Sequence, residues 1–188
     1  VPNIIGTNRL ASAVGTSVAA INYARHIRIP WKTVFFAAAG AIPLSYLGAT
    51  VQSMISSEIL KPIILVLIVL IGIYTFKKKD FGHEERETLA SKHMGWYSMA
   101  LGGVLGFYNG MIGPGTGSLL VFGFVRVIGY NFLRASAVSK VVNVIADVSS
   151  LVFFIIHKHI LFNLALPMMA CNVAGSYLGS RMAVLRGN

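Results

Sequence analysis

The tetrapeptide Ser-Tyr-Leu-Gly occurs at residues 45–48 and again at residues 176–179, an offset of 131 positions. Without a gap, the same offset pairs Arg9 with Lys140. Both copies lie in long apolar segments, which indicates an old internal duplication of hydrophobic helices. Duplicated helix bundles are the usual architecture of secondary transporters, which bind their substrate between the repeats.

The composition indicates an integral membrane protein. Hydrophobic residues make up 55% of the 188 residues and charged residues 12%, whereas soluble domains have about 25% charged residues. The net charge of +10 does not indicate nucleic-acid binding, because the basic residues lie in short loops between apolar blocks and form no basic face. The lipid bilayer is therefore the predicted surrounding.

Six segments are candidates for membrane-spanning helices, which need about 20 apolar residues to cross the hydrocarbon core. They are residues 10–24, 33–54, 59–76, 96–112, 135–156 and 160–185. The glycine-rich stretch 113–118 precedes a short apolar run at 119–130, which we interpret as a half-helix or a re-entrant segment. Irregular backbone at this depth has to be buried in protein or face a water-filled cavity. The predicted fold is an all-α integral membrane protein with duplicated helical repeats and a broken or re-entrant glycine-rich segment.

A polar stretch of mixed charge, residues 77–94, divides the predicted first repeat (1–76) from the second (95–188). The offset places the counterpart of the glycine-rich segment before residue 1. It places the counterpart of the third span after residue 188. We therefore expect both repeats to be incomplete and the sequence to be a fragment that lacks both ends.

The basic residues predict the orientation. Residues 25–32 and 77–92 share one side of the membrane and contain eight Lys or Arg. If residues 113–130 cross the membrane, 13 of the 16 basic residues lie on that side, the repeats are inverted, and that side is cytoplasmic. If the segment dips in and returns, five of them move to the other side and the asymmetry weakens. We prefer inverted repeats in a multi-pass protein of the bacterial cytoplasmic membrane.

Alternating glycines and small residues form a motif after the fourth span: Gly113, Pro114, Gly115, Thr116, Gly117 and Ser118. Glycine permits positive φ and a close approach of the backbone to a ligand. A glycine-rich turn that opens a helix exposes unpaired N–H groups, which suit an anion. Glycine in a membrane helix also serves close helix packing, and so does the spacing of small residues at Ala41, Ser45, Ala49, Gly175 and Gly179.

A second polar cluster consists of Lys140, Asn143 and Asp147, whose spacing places them on one face of a helix. Ionisable groups inside a membrane usually face the bundle interior or a water-filled path. Lys140 could instead extend its charge to the interface. Asp147 either forms an ion pair with Lys140 or another cation, or is protonated during part of a transport cycle.

The first repeat contributes Thr7, Asn8 and Arg9 at the positions that correspond to 138–140. Two basic residues related by the duplication suit a bound anion, and Asn109 directly before the glycine motif is a further ligand candidate. The sequence predicts no catalytic residue, no cofactor and no metal. The predicted substrate-binding residues are Thr7, Asn8, Arg9, Asn109, Gly113, Gly115, Thr116, Gly117, Ser118, Lys140 and Asn143, with Asp147 as the coupling residue.

The stretch GFYNGMIGPGTGSLL at 106–120, followed by FLRASAVSKVVNV at 132–144, resembles the second-half signature of the TauE/SafE sulfite exporters. This family is also called the toluene sulfonate uptake permease family. Gly6-Thr-Asn-Arg is similar to the first-half counterpart. The resemblance covers nearly the whole chain. It implies a polytopic membrane transporter of sulfur-containing anions such as sulfite, thiosulfate or organosulfonates.

Two other classes of protein remain as alternatives. A membrane-embedded enzyme such as an intramembrane protease needs a Ser or Asp nucleophile with a base at membrane depth. Neither Ser118 nor Ser136 has a mid-membrane histidine in the sequence pattern, and Asp147 has no second transmembrane aspartate. We therefore do not predict an enzyme. The second alternative is an accessory subunit of a membrane complex, which would not need polar groups that converge on a glycine turn. The sequence leaves the oligomeric state, including an oligomer, open.

Overall fold

The computed structural model describes residues 2–56, 93–186 and isolated positions between 58 and 73. The described ranges contain six α-helices and one π-helical turn. The predicted third span (59–76) and most of the predicted linker (77–94) lie outside the continuously described residues. The elements are α1 (Pro2–His26), α2 (Trp31–Met54), α3 (Met94–Met111), α4 (Thr116–Gly123), the π-helical turn (Phe124–Ile128), α5 (Phe132–Ile156) and α6 (Phe162–Arg186).

The helices agree with the predicted spans except at the start of α1. This helix begins at Pro2, whereas the apolar pattern predicts a start at residue 10. The difference has a physical reason, because the polar residues before Leu10 find partners inside the protein. The hydroxyl Oγ1 of Thr7, for example, donates to the carbonyl of Asn3 at 2.6 Å. Hydropathy alone therefore places the start of this helix too late.

The two repeats run in opposite directions through the bundle. The offset of 131 residues maps α1 onto α5. Arg9 near the start of α1 contacts Asp147 near the end of α5, whereas Tyr23 near the end of α1 lines the same cavity as Lys140 in the first half of α5. The equivalent helices α1 and α5 are therefore antiparallel, as inverted repeats require.

The second equivalent pair, α2 and α6, obeys the same relation. Helix α2 runs parallel to α5, since Thr33 contacts Tyr130 just before α5 and Ser45 donates to the carbonyl of Ala146. Helix α6 runs parallel to α1, since the amide of Leu161 donates to Thr7 and Asn22 donates to Ser180. Helices α2 and α6 are consequently antiparallel, which confirms the inverted arrangement.

The glycine-rich break and the half-helix after it are also confirmed. Helix α3 ends at Met111, and α4 with the π-helical turn returns toward the end of the bundle where α2 begins. There the hydroxyl groups of Thr33 and Tyr130 lie 2.6 Å apart. Arg126 and Arg134 therefore lie at the same end as the basic loop at 25–32, whereas Lys158 lies at the opposite end. We call the end that holds residues 25–32, Arg126 and Arg134 the basic end.

Small residues bring α2 and α3 into close contact. A Cβ atom placed on Gly106 would lie 2.7 Å from the Cα atom of Ala41. The helix contacts predicted at Ala41, Ser45 and Ala49 are confirmed by their complete burial. At Gly175 and Gly179 a Cβ atom would meet no described atom within 4 Å, so the helix contacts predicted there stay a prediction.

The surface of the bundle is apolar, and its interior holds buried polar and charged groups as well as hydrophobic ones. Large hydrophobic side chains such as Phe35 (71% exposed), Val104 (68%) and Leu166 (64%) point outward. Arg9 and Asp147 are buried. In the part of the chain that the structure describes, α2 and α5 are the two helices long and apolar enough to cross a membrane. Charged groups inside and hydrocarbon outside suit a lipid environment.

Candidate functional site

Asp147 on α5 is the centre of a buried polar cluster. Its Oδ1 atom accepts hydrogen bonds from Nη1 of Arg9 at 3.1 Å and from Nδ2 of Asn109 at 2.8 Å. Its Oδ2 atom accepts from Oγ of Ser12 at 2.7 Å and from Nδ2 of Asn143 at 3.3 Å. Four donors from three helices thus converge on one carboxylate.

Arg9 keeps unused donors although it is buried. Its Nη1 atom also donates to Oδ1 of Asn109 at 2.9 Å. Among the described residues, Nε and Nη2 of Arg9 have no hydrogen-bond partner. Buried polar groups are normally paired, so these two nitrogen atoms are candidates for binding a ligand or water.

The glycine turn brings the backbone against this guanidinium group. Gly113 has φ +94°, and a Cβ atom there would lie 2.7 Å from both Nη1 and Nη2 of Arg9. Gly115, directly before α4, has φ 83°. Both positions need glycine, because other residues rarely adopt this left-handed region. The hydroxyl groups of Tyr108 and Thr116 fix the turn by donating to the carbonyls of Pro114 (2.8 Å) and Gly113 (2.6 Å).

Lys140 lies apart from Asp147, at the first turn of α4. Seven residues separate the two on α5, which is about 10 Å along the helix axis. A Cβ atom on Gly117 would lie 3.8 Å from Nζ of Lys140. The lysine therefore places its charge beside a helix N-terminus, where the helix dipole already favours negative groups.

The structure brings some of the predicted ligands together and leaves others elsewhere. The cluster around Asp147 contains Arg9, Asn109 and Asn143, with Gly113 against the guanidinium group. The predicted residues outside this cluster are Thr7, Asn8, Gly115, Thr116, Gly117, Ser118 and Lys140.

The predicted ligands in α1 and the first turn of α4 differ in accessibility. Thr7 accepts the amide of Leu161 at 2.9 Å and so joins α1 to the start of α6. Asn8 is half-buried. The hydroxyl of Thr116 is used inside the glycine turn, whereas Ser118 is exposed. In this conformation, Ser118 is more accessible than Thr7 or Thr116.

The sequence patterns do not indicate several residues near the site. Ser12 donates to Asp147, and its spacing of three residues from Arg9 on α1 could have indicated it. Asn172, Ser176 and Ser180 line a cavity with Lys140. Ser176 lies inside the repeated tetrapeptide, which indicates the duplication but does not by itself indicate a cavity.

An all-α bundle of inverted repeats, apolar outside and with a buried ion pair beside a broken helix, defines the chain as an integral membrane protein of the inverted-repeat class. Its sequence matches the model of one family, sulfite exporter TauE/SafE, over residues 1–187. The chain belongs to this family. No solved structure matches the chain.

Curated relatives agree with this assignment. The chain is 30% identical over 187 residues to "Probable membrane transporter protein ORF9" of Sinorhizobium sp, covering 97% of this chain and 69% of the relative. It is 30% identical over 183 residues to "Probable membrane transporter protein" of Haemophilus influenzae, covering 97% and 71%. It is 27% identical over 187 residues to "Probable membrane transporter protein YfcA" of Escherichia coli strain K12, covering 98% and 68%. The chain is therefore a membrane transporter.

Proposed function

We propose that this chain carries small sulfur-containing anions, such as sulfite, thiosulfate or an organosulfonate, across the bacterial cytoplasmic membrane. The observation that carries the proposal is the position of Lys140, a cation beside the N-terminus of α4. The family is described as that of a sulfite exporter, which supports the substrate class.

The charges inside the bundle suit an anion. Asp147 is the one acidic residue in residues 1–57 and 88–188, and it is paired with Arg9 at 3.1 Å. Two cations, Arg9 and Lys140, and one carboxylate leave one positive charge in the interior. A buried charge without a partner is costly. An entering anion would therefore interact favourably with both the ammonium group of Lys140 and the dipole of α4.

Alternating access follows from the inverted repeats. The offset of 131 maps Arg9 onto Lys140 and Asp147 onto Thr16. In this conformation Arg9 is held in an ion pair with Asp147, whereas Lys140 lines an open cavity. Rocking of one repeat against the other would open the side that holds Arg9 and close the side that holds Lys140. The anion would then pass from Lys140 to the unused N–H groups of Arg9.

Proton coupling through Asp147 would require this ion pair to open. In this conformation Asp147 accepts four hydrogen bonds. In the exchanged conformation, Arg9 would bind the anion instead, and Asp147 would be free to take up a proton. The alternative, a purely structural ion pair, predicts flux that does not respond to a pH gradient.

The basic end supports an orientation with that end in the cytoplasm, because cytoplasmic loops are enriched in Lys and Arg. We further propose residues 1–76 and 95–188 as the two repeats, with residues 77–94 as a cytoplasmic linker. A second candidate function is an accessory subunit without transport activity, which Gly175 and Gly179 of α6 favour because no described residue covers them.

The test is flux of labelled sulfite and thiosulfate into proteoliposomes, measured with the intact open reading frame, with and without a pH gradient. Saturable flux supports an anion carrier, and an effect of the gradient supports coupling. If folded protein carries neither these anions nor an organosulfonate, the accessory-subunit function replaces the proposal.

A further inference from the structure

A cavity of about 470 Å³ lies at the basic end, where α1 ends and α2 begins. It is lined by residues 24–29 and by Trp31, and it shares no lining residue with the cavity of Lys140. Its volume falls within the range of about 300–1,000 Å³ that is usual for small-molecule sites. Arg25, His26 and Arg28 are its ionisable side chains. The cavity is therefore basic and separate from the proposed transport site.

The two tryptophans of the sequence place this cavity at the depth of the lipid headgroups. A Cβ atom on Gly95 would lie 3.2 Å from the ring of Phe36, so α2 and α3 begin at the same end of the bundle. Their first turns carry Trp31, which is 64% exposed, and Trp96, which is 71% exposed. Exposed tryptophan is enriched where the hydrocarbon core meets water. The cavity that Trp31 lines therefore opens at this boundary.

Deeper in the membrane, the faces of α1 and α2 that line the cavity expose apolar side chains. Phe35 follows Trp31 by about one turn of α2 and is 71% exposed. Ile21 precedes Arg25 by about one turn of α1 and is 53% exposed. Residues four apart lie on the same face of a helix. The basic cavity thus continues into an apolar surface, in the order in which a phospholipid presents its headgroup and its acyl chains.

Two arginines supply the charge that a ligand meets in the cavity. Nδ1 of His26 lies 2.8 Å from the carbonyl oxygen of Asn22, so this ring is held against α1. Arg25 and Arg28 are exposed, and the sequence has no acidic residue in positions 1–57. The C-terminus of α1 and the N-terminus of α2 both lie at the cavity, so their dipoles oppose each other. The guanidinium groups therefore determine which ligand fits.

The phosphodiester group of an anionic lipid matches these two side chains. A guanidinium group can donate two parallel N–H groups to the oxygen atoms of one phosphate. Phosphatidylglycerol carries this phosphate and no other charge. Phosphatidylethanolamine carries the same phosphate together with an ammonium group, which the arginines would repel because the cavity lining contains no carboxylate. The cavity therefore favours the anionic lipid over the zwitterionic one.

We propose that this cavity binds the headgroup of an anionic phospholipid, with Arg25 and Arg28 donating to the phosphate oxygens and Trp31 beside the glycerol region. The acyl chains lie along Ile21 and Phe35. The inference goes beyond the proposed function and does not depend on the transported substrate, because the site is at the surface that faces the bilayer.

The test is quenching of tryptophan fluorescence by brominated lipid. The intact protein is placed in vesicles of phosphatidylethanolamine with a minor fraction of phosphatidylglycerol, and the acyl chains of one lipid at a time carry bromine. Two backgrounds are compared, one whose only tryptophan is Trp31 and one whose only tryptophan is Trp96. We expect phosphatidylglycerol to be enriched about tenfold at Trp31 over its share of the bilayer, as one hydrogen bond to a charged group implies. Trp96 lies at the same boundary outside the cavity and should show no enrichment.

Arg28→Gln and Lys32→Gln are the matched variants, measured in the Trp31 background. Both remove one exposed cation at the basic end, and of the two only Arg28 lines the cavity. Arg28→Gln should remove most of the enrichment, whereas Lys32→Gln should keep it. Arg28→Lys keeps the charge and loses the paired donors, so its enrichment should lie between the two. Equal loss in Arg28→Gln and Lys32→Gln would show a diffuse attraction of anionic lipid to the basic end and would overturn the site.

The other outcomes that would overturn the inference identify a different occupant or none. Reversal of the enrichment by inorganic phosphate, at the same molar concentration as the lipid, would show that the cavity takes a soluble anion. A rise in enrichment in the triple variant Glu84→Gln, Glu85→Gln and Glu87→Gln would show that acidic residues of this chain compete for the cavity in the wild type. No enrichment at Trp31 in the wild type would leave the cavity without a lipid. Anion flux is measured separately, so each of these results leaves the proposed function standing.

Discussion

Nη1 of Arg9 lies 3.1 Å from Oδ1 of Asp147, and this contact joins residues 138 positions apart. The contact is made once although the chain is duplicated, since the positions equivalent to Arg9 and Asp147 are Lys140 and Thr16. The uncharged hydroxyl group of Thr16 cannot neutralise the positive charge of Lys140. The two repeats therefore differ in electrostatics at equivalent points.

The ion pair predicts a large effect of single substitutions on stability. Asp147→Asn leaves the guanidinium group of Arg9 buried without a counter-charge, and we expect a loss of about 3–5 kcal/mol. The double variant Arg9→Gln with Asp147→Asn removes both charges and should lose less. Chemical denaturation in detergent, followed by circular dichroism, measures the difference.

Lys158→Gln is the control for the ion pair. It removes an exposed cation that lies at the end of the bundle opposite to the basic end. Its stability should stay within about 0.5 kcal/mol of the wild type. If Asp147→Asn is as stable as this control, the pair contributes nothing to folding. If the double variant is the least stable of all, the buried charges are not coupled.

Gly113 and Gly117 provide a matched pair of substitutions within one motif. Gly113→Ala forces a side chain into the left-handed region at φ +94° and against Arg9, with a backbone cost of about 1–2 kcal/mol before the steric clash. At Gly117 the added Cβ atom would be 3.8 Å from Nζ of Lys140, an ordinary contact. We expect Gly113→Ala to lose flux and thermal stability, and Gly117→Ala to keep both. Equal melting temperatures for the two variants would contradict this account of the turn.

Lys140→Gln should reduce sulfite flux to the background of empty liposomes while the protein stays folded. The variant removes the unneutralised charge beside α4 and leaves the ion pair of Arg9 intact. Lys158→Gln removes the same charge elsewhere and should transport as the wild type does. Full flux by Lys140→Gln, from protein with the wild-type melting temperature, would move the anion site away from this lysine.

Sequence alone predicted the architecture because it is encoded in redundant patterns. The duplication appears in the offset that pairs residues 45–48 with 176–179, and the glycine motif marks the broken helix. The cavity on α6 was not predicted, because Ser176 and Gly179 repeat a tetrapeptide whose first copy packs against other helices. Whether such a face is covered depends on the neighbouring helix and not on the face itself. The partner of Asp147 was left open for the same reason, since Arg9 and Lys140 are both cations and only packing decides between them.

The asymmetry between the repeats also predicts which positions water can reach. In a Cys171→Ala background, which removes the one native cysteine, a cysteine at Ser176 in the cavity should react with a membrane-impermeant thiol reagent added from the basic end. A cysteine at Ser12, whose hydroxyl binds Asp147, should react several times more slowly from that end. A bound anion should slow the reaction at position 176. Labelling of inverted and right-side-out vesicles distinguishes the two ends. Equal rates at both positions, or reaction of position 176 from the opposite end only, would show that the closed and open sides are assigned wrongly.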